Sequence, residues 1–307
     1  MLGIYFLLIL MIIVWSFSFI VVDIALDFAP PLTIALYRYV IASLSFLIID
    51  LYLKIFHKSD FNEEKKDIND KFSRNDWIFL IVASFTGITL FFYAQYNAIN
   101  LIGPSLPALF VCLLAPVIIS FLALFIFDEK LSNIKIIGFI IASFGAFFLI
   151  TGGNLGVFAP ESALFLGYLL ALMTPLLWAI YSISTKKIRK ERSNFKILKY
   201  ISYMGTIQLF IFVVLNEEFL IFISNLLNIV LILCSLYLGL GCYVLGFYIW
   251  QSSQKKIDSS KVASFLYVEP FITLAFAFLL QRSGIIFLWN ILGGIIVLVA
   301  VLIINYK

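Results

Sequence analysis

The sequence predicts an all-α integral membrane protein, with ten transmembrane helices arranged as two inverted five-helix repeats. Three observations lead there: the composition, the spacing of apolar segments and the sidedness of Lys and Arg. Of 307 residues, 63% are hydrophobic and 12% charged, and the mean hydropathy is +1.10. Water-soluble domains run at roughly 45–50% apolar and about 25% charged residues, so this chain is built for lipid. Disordered tails and nucleic-acid modules are excluded. The formal net charge of +4 sits in short loops between apolar segments and forms no continuous patch, so it reports orientation and not a nucleic-acid partner.

Crossing about 30 Å of hydrocarbon at ~1.5 Å per residue takes roughly 20 apolar residues, and ten segments qualify. Segment one, 4–22, has no Lys or Arg before it and exceeds a signal-peptide core, so it reads as a retained helix. Segment two, 32–54, starts after Pro30–Pro31 and carries Arg38. Segment three, 77–98, opens on Trp77, a residue suited to the headgroup interface, and ends before Gly103–Pro104. Segment four, 104–127, contains Pro116; segment five, 134–151, stops at Gly152–Gly153. Segment six, 163–185, follows Pro160, and segment seven spans 198–216. Segments eight and nine are 226–252 and 260–281, the latter holding Glu269–Pro270. Segment ten, 285–306, has Trp289 near its start. The breaks carry Gly and Pro, which stop helices by favouring turns or lacking a donor.

Loops rich in Lys and Arg stay on the cytoplasmic side. With the N-terminus inside, nineteen of the twenty-one Lys and Arg fall in cytoplasmic loops or at the cytoplasmic C-terminus. Only Arg282 faces outward and Arg38 lies within a span, while the outer loops carry Asp23, Asp27, Glu161, Glu217 and Glu218. Both termini are thus expected in the cytoplasm. Loop 57–76 balances acidic and basic residues without an apolar stripe, so it reads as a solvated linker, with a regulatory segment as the alternative.

Sliding the chain on itself by 154 positions brings Ala115-Pro116-Val117 onto Glu269-Pro270-Phe271, Tyr96 onto Trp250 and Asn97 onto Gln251. A shift of 163 pairs Trp15 with Trp178. Residues 1–152 and 153–307 therefore read as two five-helix units. An odd number of spans per unit forces opposite orientations, and the loop charges alternate accordingly. Two such halves can rock about a shared site, exposing it to each side in turn.

Polar groups inside spans are costly unless they face one another, a cavity or water. Glu269 is the one carboxylate well inside a segment, so it is a candidate substrate or proton site; the alternative is a packing bond to a neighbouring helix. Pro270 beside it frees a carbonyl and can bend the helix, and Pro270 and Pro116 are candidate hinges. Arg38 lies about 9 Å in from the outer end of its segment and Glu269 about 13 Å in from the inner end of its own, so their side chains can pair across similar depths. Snorkelling of Arg38 to the headgroups is the alternative. Segment three shows Thr86, Thr89, Tyr93, Tyr96/Asn97 and Asn100 at helical spacing, and segment eight a weaker stripe of Tyr243, Phe247, Trp250/Gln251 and Gln254. Such stripes face inward, as a substrate path or as helix–helix bonding. Trp15, Trp178, Tyr181 and Tyr267 are further candidate walls, each alternatively plain packing. Cys112, Cys234 and Cys242 lie in apolar stretches without CxxC spacing, and His57 is alone in a loop, so no metal site is expected. No P-loop or HExxH appears, and no catalytic residue set or cofactor is expected.

Tandem five-span units, Trp15-Ser16-Phe17-Ser18 and Leu177-Trp178-Ala179-Ile180, Arg38-Tyr39, Leu114-Ala115-Pro116-Val117 through Asp128-Glu129-Lys130-Leu131, and Val268-Glu269-Pro270-Phe271 resemble the EamA-type branch of the drug/metabolite transporter superfamily. Copy two departs from that pattern at Gln281-Arg282-Ser283-Gly284, where the family usually has a Glu, so Glu129 reads as a helix end on the cytoplasmic side. The resemblance implies a central cavity walled by spans one to four and six to nine, spans five and ten at the periphery, and a homodimer contact in some members. It also implies a plasma (inner) membrane transporter, not an enzyme, that exports a small organic metabolite such as an amino acid. With no nucleotide site, the drive is the substrate's own gradient or protons. The alternative is a membrane-embedded enzyme or lipid flippase using the same cavity. The expected partners are the lipid bilayer and a small-molecule substrate, with protons as a second candidate.

Overall fold

The computed structural model describes residues 2–56, 72–126, 133–154, 164–188, 192–256, 264–282 and 286–304, together with 156, 159, 162 and 262. Residues 57–71 of loop 57–76, and Glu129, lie outside them. Among the described residues every regular element is helical. Helix α1 (Leu2–Leu26) turns into α2 (Pro31–Phe56), whose first residue is a proline where the missing N–H costs nothing. The long helix α3 begins at Arg74 and changes to a π-helix over Phe85–Leu90 before resuming as an α-helix over Phe91–Ile102. Its start is fixed by a capping box in which Ser73 Oγ accepts from the Asp76 amide and Asp76 Oδ2 accepts from the Ser73 amide (3.2 and 2.9 Å).

The chain continues through α4 (Ser105–Ile126), α5 (Asn133–Thr151), α6 (Phe165–Ile188), α7 (Asn194–Leu215) and the short α8 (Phe219–Ser224). Helix α9 starts at Ile229, passes through a π-helix over Tyr237–Phe247 and ends as Tyr248–Lys256; α10 is a 3₁₀ segment (Ser264–Val268) followed by an α-helix (Glu269–Leu279); α11 is Leu288–Ile304. Six of these helices, within Gly3–Leu26, Pro31–Tyr52, Arg74–Ile102, Phe165–Ile188, Asn194–Leu215 and Ile229–Gln254, are long and apolar enough to cross a membrane, and shorter apolar helices lie in α4, α5, α10 and α11. This is a multi-pass membrane architecture.

Within the described part of span nine, 3₁₀ geometry over Ser264–Val268 passes directly into an α-helix at Glu269, so the span is helical as expected but not of one helix type. Pro270 sits in the first turn of the α-helical part, where a proline is tolerated, and Pro116 lies inside α4.

Helices α5 and α11 pack along each other beside the rest of the bundle. They cross backbone to backbone: a Cβ on Gly145 would stand 2.8 Å from the Val297 nitrogen, and one on Gly293 would stand 2.7 Å from the Gly145 carbonyl oxygen. Small residues permit this approach in lipid, where packing and hydrogen bonds replace the hydrophobic drive. Buried Asn290 adds a bond to the Leu149 carbonyl (2.8 Å).

Charged contacts tie the two halves at both ends of the bundle. At one end Lys199 pairs with Asp50 (2.8 Å) and Arg192 with Asp76 (3.2 Å). At the other, Arg282 bridges Asp23 (2.9 Å) and Asp27 (2.6 Å), and Glu218 accepts from the Thr33 amide and hydroxyl (3.0 and 2.9 Å), capping the first turn of α2. Glu217 and Gln281, immediately before Glu218 and Arg282, take left-handed backbone conformations (φ 60° and 56°). This reversal usually falls to glycine, and here each aims a charged neighbour at the other half.

Burial raises the Glu218 carboxyl above its ordinary value, outweighing the two Thr33 bonds, which lower it. A raised carboxyl favours the folded state at low pH, and that contribution is lost as pH climbs through the folded value. Glu218→Gln keeps an acceptor for Thr33 without the charge. Its thermal stability should therefore match or exceed that of the parent at pH 7 and vary less between about pH 4.5 and 7. Glu218→Ala should lose about 1–2 kcal/mol with its two bonds. Unfolding curves across pH compare the three proteins.

Candidate functional site

A cavity of about 60 Å³ is lined by residues from seven helices: α1, α2, α3, α4, α6, α9 and α10. Its floor is aromatic. Trp15 and Trp178 meet edge to face (5.9 Å between ring centroids), and Phe247 packs against both at 5.4 Å. Phe91 closes on Trp178 at 5.5 Å. The Trp15 indole N–H donates to the Cys242 carbonyl (2.9 Å) in the π segment of α9. Its ring lies against Gly246, where any Cβ would collide with it. Glycine is required here because a wide π turn and a tryptophan share the same space.

Two ionisable side chains face this cavity. Arg38 of α2 is 4% exposed. Its guanidinium donates to the Tyr96 hydroxyl (2.9 Å) and lies 4.2 Å from the centre of the Phe92 ring, and its Nε has no partner. Glu269, 3% exposed, begins the α-helical part of α10. Its carbonyl accepts from Ser16 and Thr273 hydroxyls (3.1 and 3.0 Å), and Thr273 also donates to the Ser16 carbonyl (3.0 Å). These bonds fasten α10 to α1 at the site. The Glu269 carboxyl has the Cys112 thiol of α4 within hydrogen-bonding reach. Among the described residues no ion pair joins Arg38 and Glu269. They share a cavity and leave it open between them.

Of the residues singled out from sequence, Trp15, Arg38, Trp178, Phe247 and Glu269 line the cavity. The others stand behind it or away from it. Trp250, fully buried, packs on Trp15 and Trp178 (5.7 and 6.3 Å). Tyr181 packs at a tilt on Trp178 (5.1 Å between ring centroids) and accepts from Gln251 Nε2 (3.3 Å). Tyr267 is buried in the 3₁₀ segment. Tyr93 and Asn97 are half-buried, and the Asn97 side chain bonds back to the Tyr93 carbonyl (2.8 Å).

Sequence reasoning missed Ser18, Phe91, Phe92, Gln95, Cys112 and Cys242. The shift in α3 has a geometric cause. A π turn holds more residues than an α turn, so after Phe85–Leu90 the inward face is carried by Phe91, Phe92 and Gln95 instead of Tyr93 and Asn97. The cysteines were passed over because they sit in apolar runs, where a free thiol usually packs as a small hydrophobe.

An apolar multi-helix bundle around a cavity lined by buried ionisable side chains is the architecture of a multi-pass membrane protein. The chain belongs to the EamA-like transporter family, whose model matches residues 2–151 and again 165–306; it is a membrane transporter. It is 25% identical over 297 residues to an uncharacterized transporter of Archaeoglobus fulgidus, covering 96% of this chain and 94% of that one. It is also 25% identical over 238 residues to an uncharacterized transporter of Clostridium kluyveri, covering 77% and 74%. A solved crystal structure superposes with a TM-score of 0.61 over 99% of this chain and 96% of that chain at 14% identity, a likeness of fold alone.

Proposed function

We propose that the protein is a secondary transporter that carries a small organic metabolite, such as an amino acid, by alternating access around the central cavity. The observation that carries this reading is the cavity itself, which holds Arg38 and Glu269 buried and unpaired with each other within an apolar bundle. Buried charge without a counter-charge is costly, and a passing polar ligand supplies that counter-charge. The drive is a solute or proton gradient, and export is the direction that the family resemblance favours.

Two inverted five-helix repeats, residues 1–152 and 153–307, supply the moving halves in this proposal. Support comes from the family model, which matches each half separately. The π segments Phe85–Leu90 and Tyr237–Phe247 also coincide when the chain is displaced by the 154 positions that align the repeats. The charged contacts support ten spans with cytoplasmic termini: the pairs Lys199–Asp50, Arg192–Asp76 and Arg282 with Asp23 and Asp27 each join residues that the Lys/Arg distribution assigns to the same side. A plasma membrane location and a homodimer complete the reading.

Counterflow tests it. Proteoliposomes preloaded with one unlabelled compound from a panel of amino acids and other small metabolites should accumulate the same labelled compound transiently, at pH 6 and pH 8, and only while sealed. Chemical conversion of a panel compound by the protein in detergent, with no counterflow of any, would replace the transporter with an enzyme.

A further inference from the structure

We propose that α8 and the turns on either side of it lie in the lipid–water boundary of the outer leaflet, where lipid acyl chains cover their apolar face, and that the bilayer thereby steadies the outer end of α2. The outer placement follows from the orientation proposed above. Three observations lead to it. First, the segment joining α7 to α9 is a poor surface for water. Phe219, Leu220, Ile221, Ile223, Leu226 and Leu227 are all exposed, Leu220 by 77% and Leu227 by 92%, and no residue of α8 is buried. Over residues 217–228 the only charges are Glu217 and Glu218. Single exposed apolar residues are ordinary, whereas a contiguous set marks a surface with a partner. The flanks of this set point to lipid as the partner, because the set continues in exposed Val214 and Leu215 at the end of α7 and Ile229 and Leu233 at the start of α9, two helices long and apolar enough to cross a membrane. With 22 residues, α7 rises about 33 Å against roughly 30 Å of hydrocarbon, so α8 follows at the boundary. Its six residues are too few to cross and suit a helix lying along that boundary.

Second, the polar side chains of the segment are used on helix ends. Asn216 Nδ2 donates to the Phe212 carbonyl (2.8 Å) at the end of α7, and Asn225 Nδ2 to the Ile221 carbonyl (3.0 Å) at the end of α8. Asn228 Oδ1 accepts from the Val230 and Leu231 amides (3.1 and 3.2 Å) at the start of α9. Helix ends otherwise leave backbone groups that seek water, and satisfying them internally suits a place where water is scarce.

Third, the other face of α8 grips α2. Half-buried Glu218 and Phe222 stand four residues apart, on one side of the helix. Glu218 accepts from the Thr33 amide and hydroxyl, the Phe222 ring lies 4.5 Å from the Tyr37 ring, and the Phe222 carbonyl accepts from the Tyr37 hydroxyl. Tyr37 immediately precedes Arg38, which lines the cavity. A lipid-held α8 therefore fixes the first two turns of α2, up to the residue before Arg38.

The test uses the full-length protein in proteoliposomes, with nitroxide labels on Leu220→Cys and Leu227→Cys. Exposed Leu233→Cys on α9 and exposed Asn154→Cys serve as lipid and water references, and the parent, whose three cysteines are buried, gives the background. In power-saturation measurements, oxygen should relax the Leu220 and Leu227 labels at least threefold more than a water-soluble nickel chelate does, as at Leu233, with the reverse at Asn154. A reversed ratio at both α8 positions would put the segment in water. Shielding from both reagents would put protein on it, a second copy where spin–spin broadening accompanies the shielding. Either result overturns the proposal. In nanodiscs, the double variant Leu220→Glu/Leu227→Glu should exchange its amide hydrogens over residues 33–38 at least threefold faster than the parent, with exchange in α5 unchanged. Parental exchange over 33–38 in the folded double variant would overturn the steadying of α2 by lipid, and if that variant does not fold, the nitroxide ratios alone decide. No transported compound is used, so these outcomes leave the transport reading untouched.

Discussion

Glu269→Gln inserts and folds like the parent but carries its panel compound about two orders of magnitude more slowly in counterflow. The expectation follows from where the group sits. The carboxylate is buried at the start of a helix, it faces the cavity, and Arg38 does not neutralise it. The amide keeps shape and hydrogen bonding, and α10 stays fastened to α1 because those bonds go to the Glu269 carbonyl and to Thr273. What is lost is one partner of a buried charge contact to the ligand, a loss of roughly 2–5 kcal/mol, with each 1.4 kcal/mol worth a factor of ten. A folded variant with parental counterflow would remove Glu269 from the site.

Gly293→Leu has the opposite signature, loss of the folded protein with no direct touch on the cavity. At this position the α11 and α5 backbones are in contact, and a Cβ would come within 2.8 Å of the Leu149 Cα and 2.7 Å of the Gly145 oxygen. Backbone cannot rotate away as a side chain can, so the helices must separate, breaking the Asn290–Leu149 bond. The cost should exceed the 1–3 kcal/mol typical of an overpacked core. Fluorescence-detected size exclusion after graded heating measures it. A Gly293→Leu protein as heat-resistant as the parent would show that the two helices do not cross here.

Much of this was readable from the residues alone. Apolar runs and Gly/Pro breaks located the helices, because lipid demands about 20 apolar residues per crossing. Glu269 and Arg38 stood out because charge in hydrocarbon needs a reason. Trp15 and Trp178 were found as repeat landmarks. Three things lay beyond the pattern. The change from 3₁₀ to α geometry at Glu269 leaves no mark in the pattern, since either helix type fits the same apolar letters. Gln95, Phe91 and Phe92 were hidden because helical spacing assumes 3.6 residues per turn, and α3 abandons that value over Phe85–Leu90. Cys112 and Cys242 gave no signal, since an apolar neighbourhood is what an inert thiol also has.

The widened stretches of α3 and α9 make chain length itself a determinant of what the pocket sees. Each residue advances a regular helix by about 100°. Deleting a single residue from Phe85–Leu90 or Tyr237–Phe247, even one whose side chain points at lipid, would let the coil tighten and swing every later position out of phase. Gln95 in one arm and Phe247 in the other hold their places through a count kept several residues upstream. Drift in sequence at these stretches is therefore easier to absorb than drift in number.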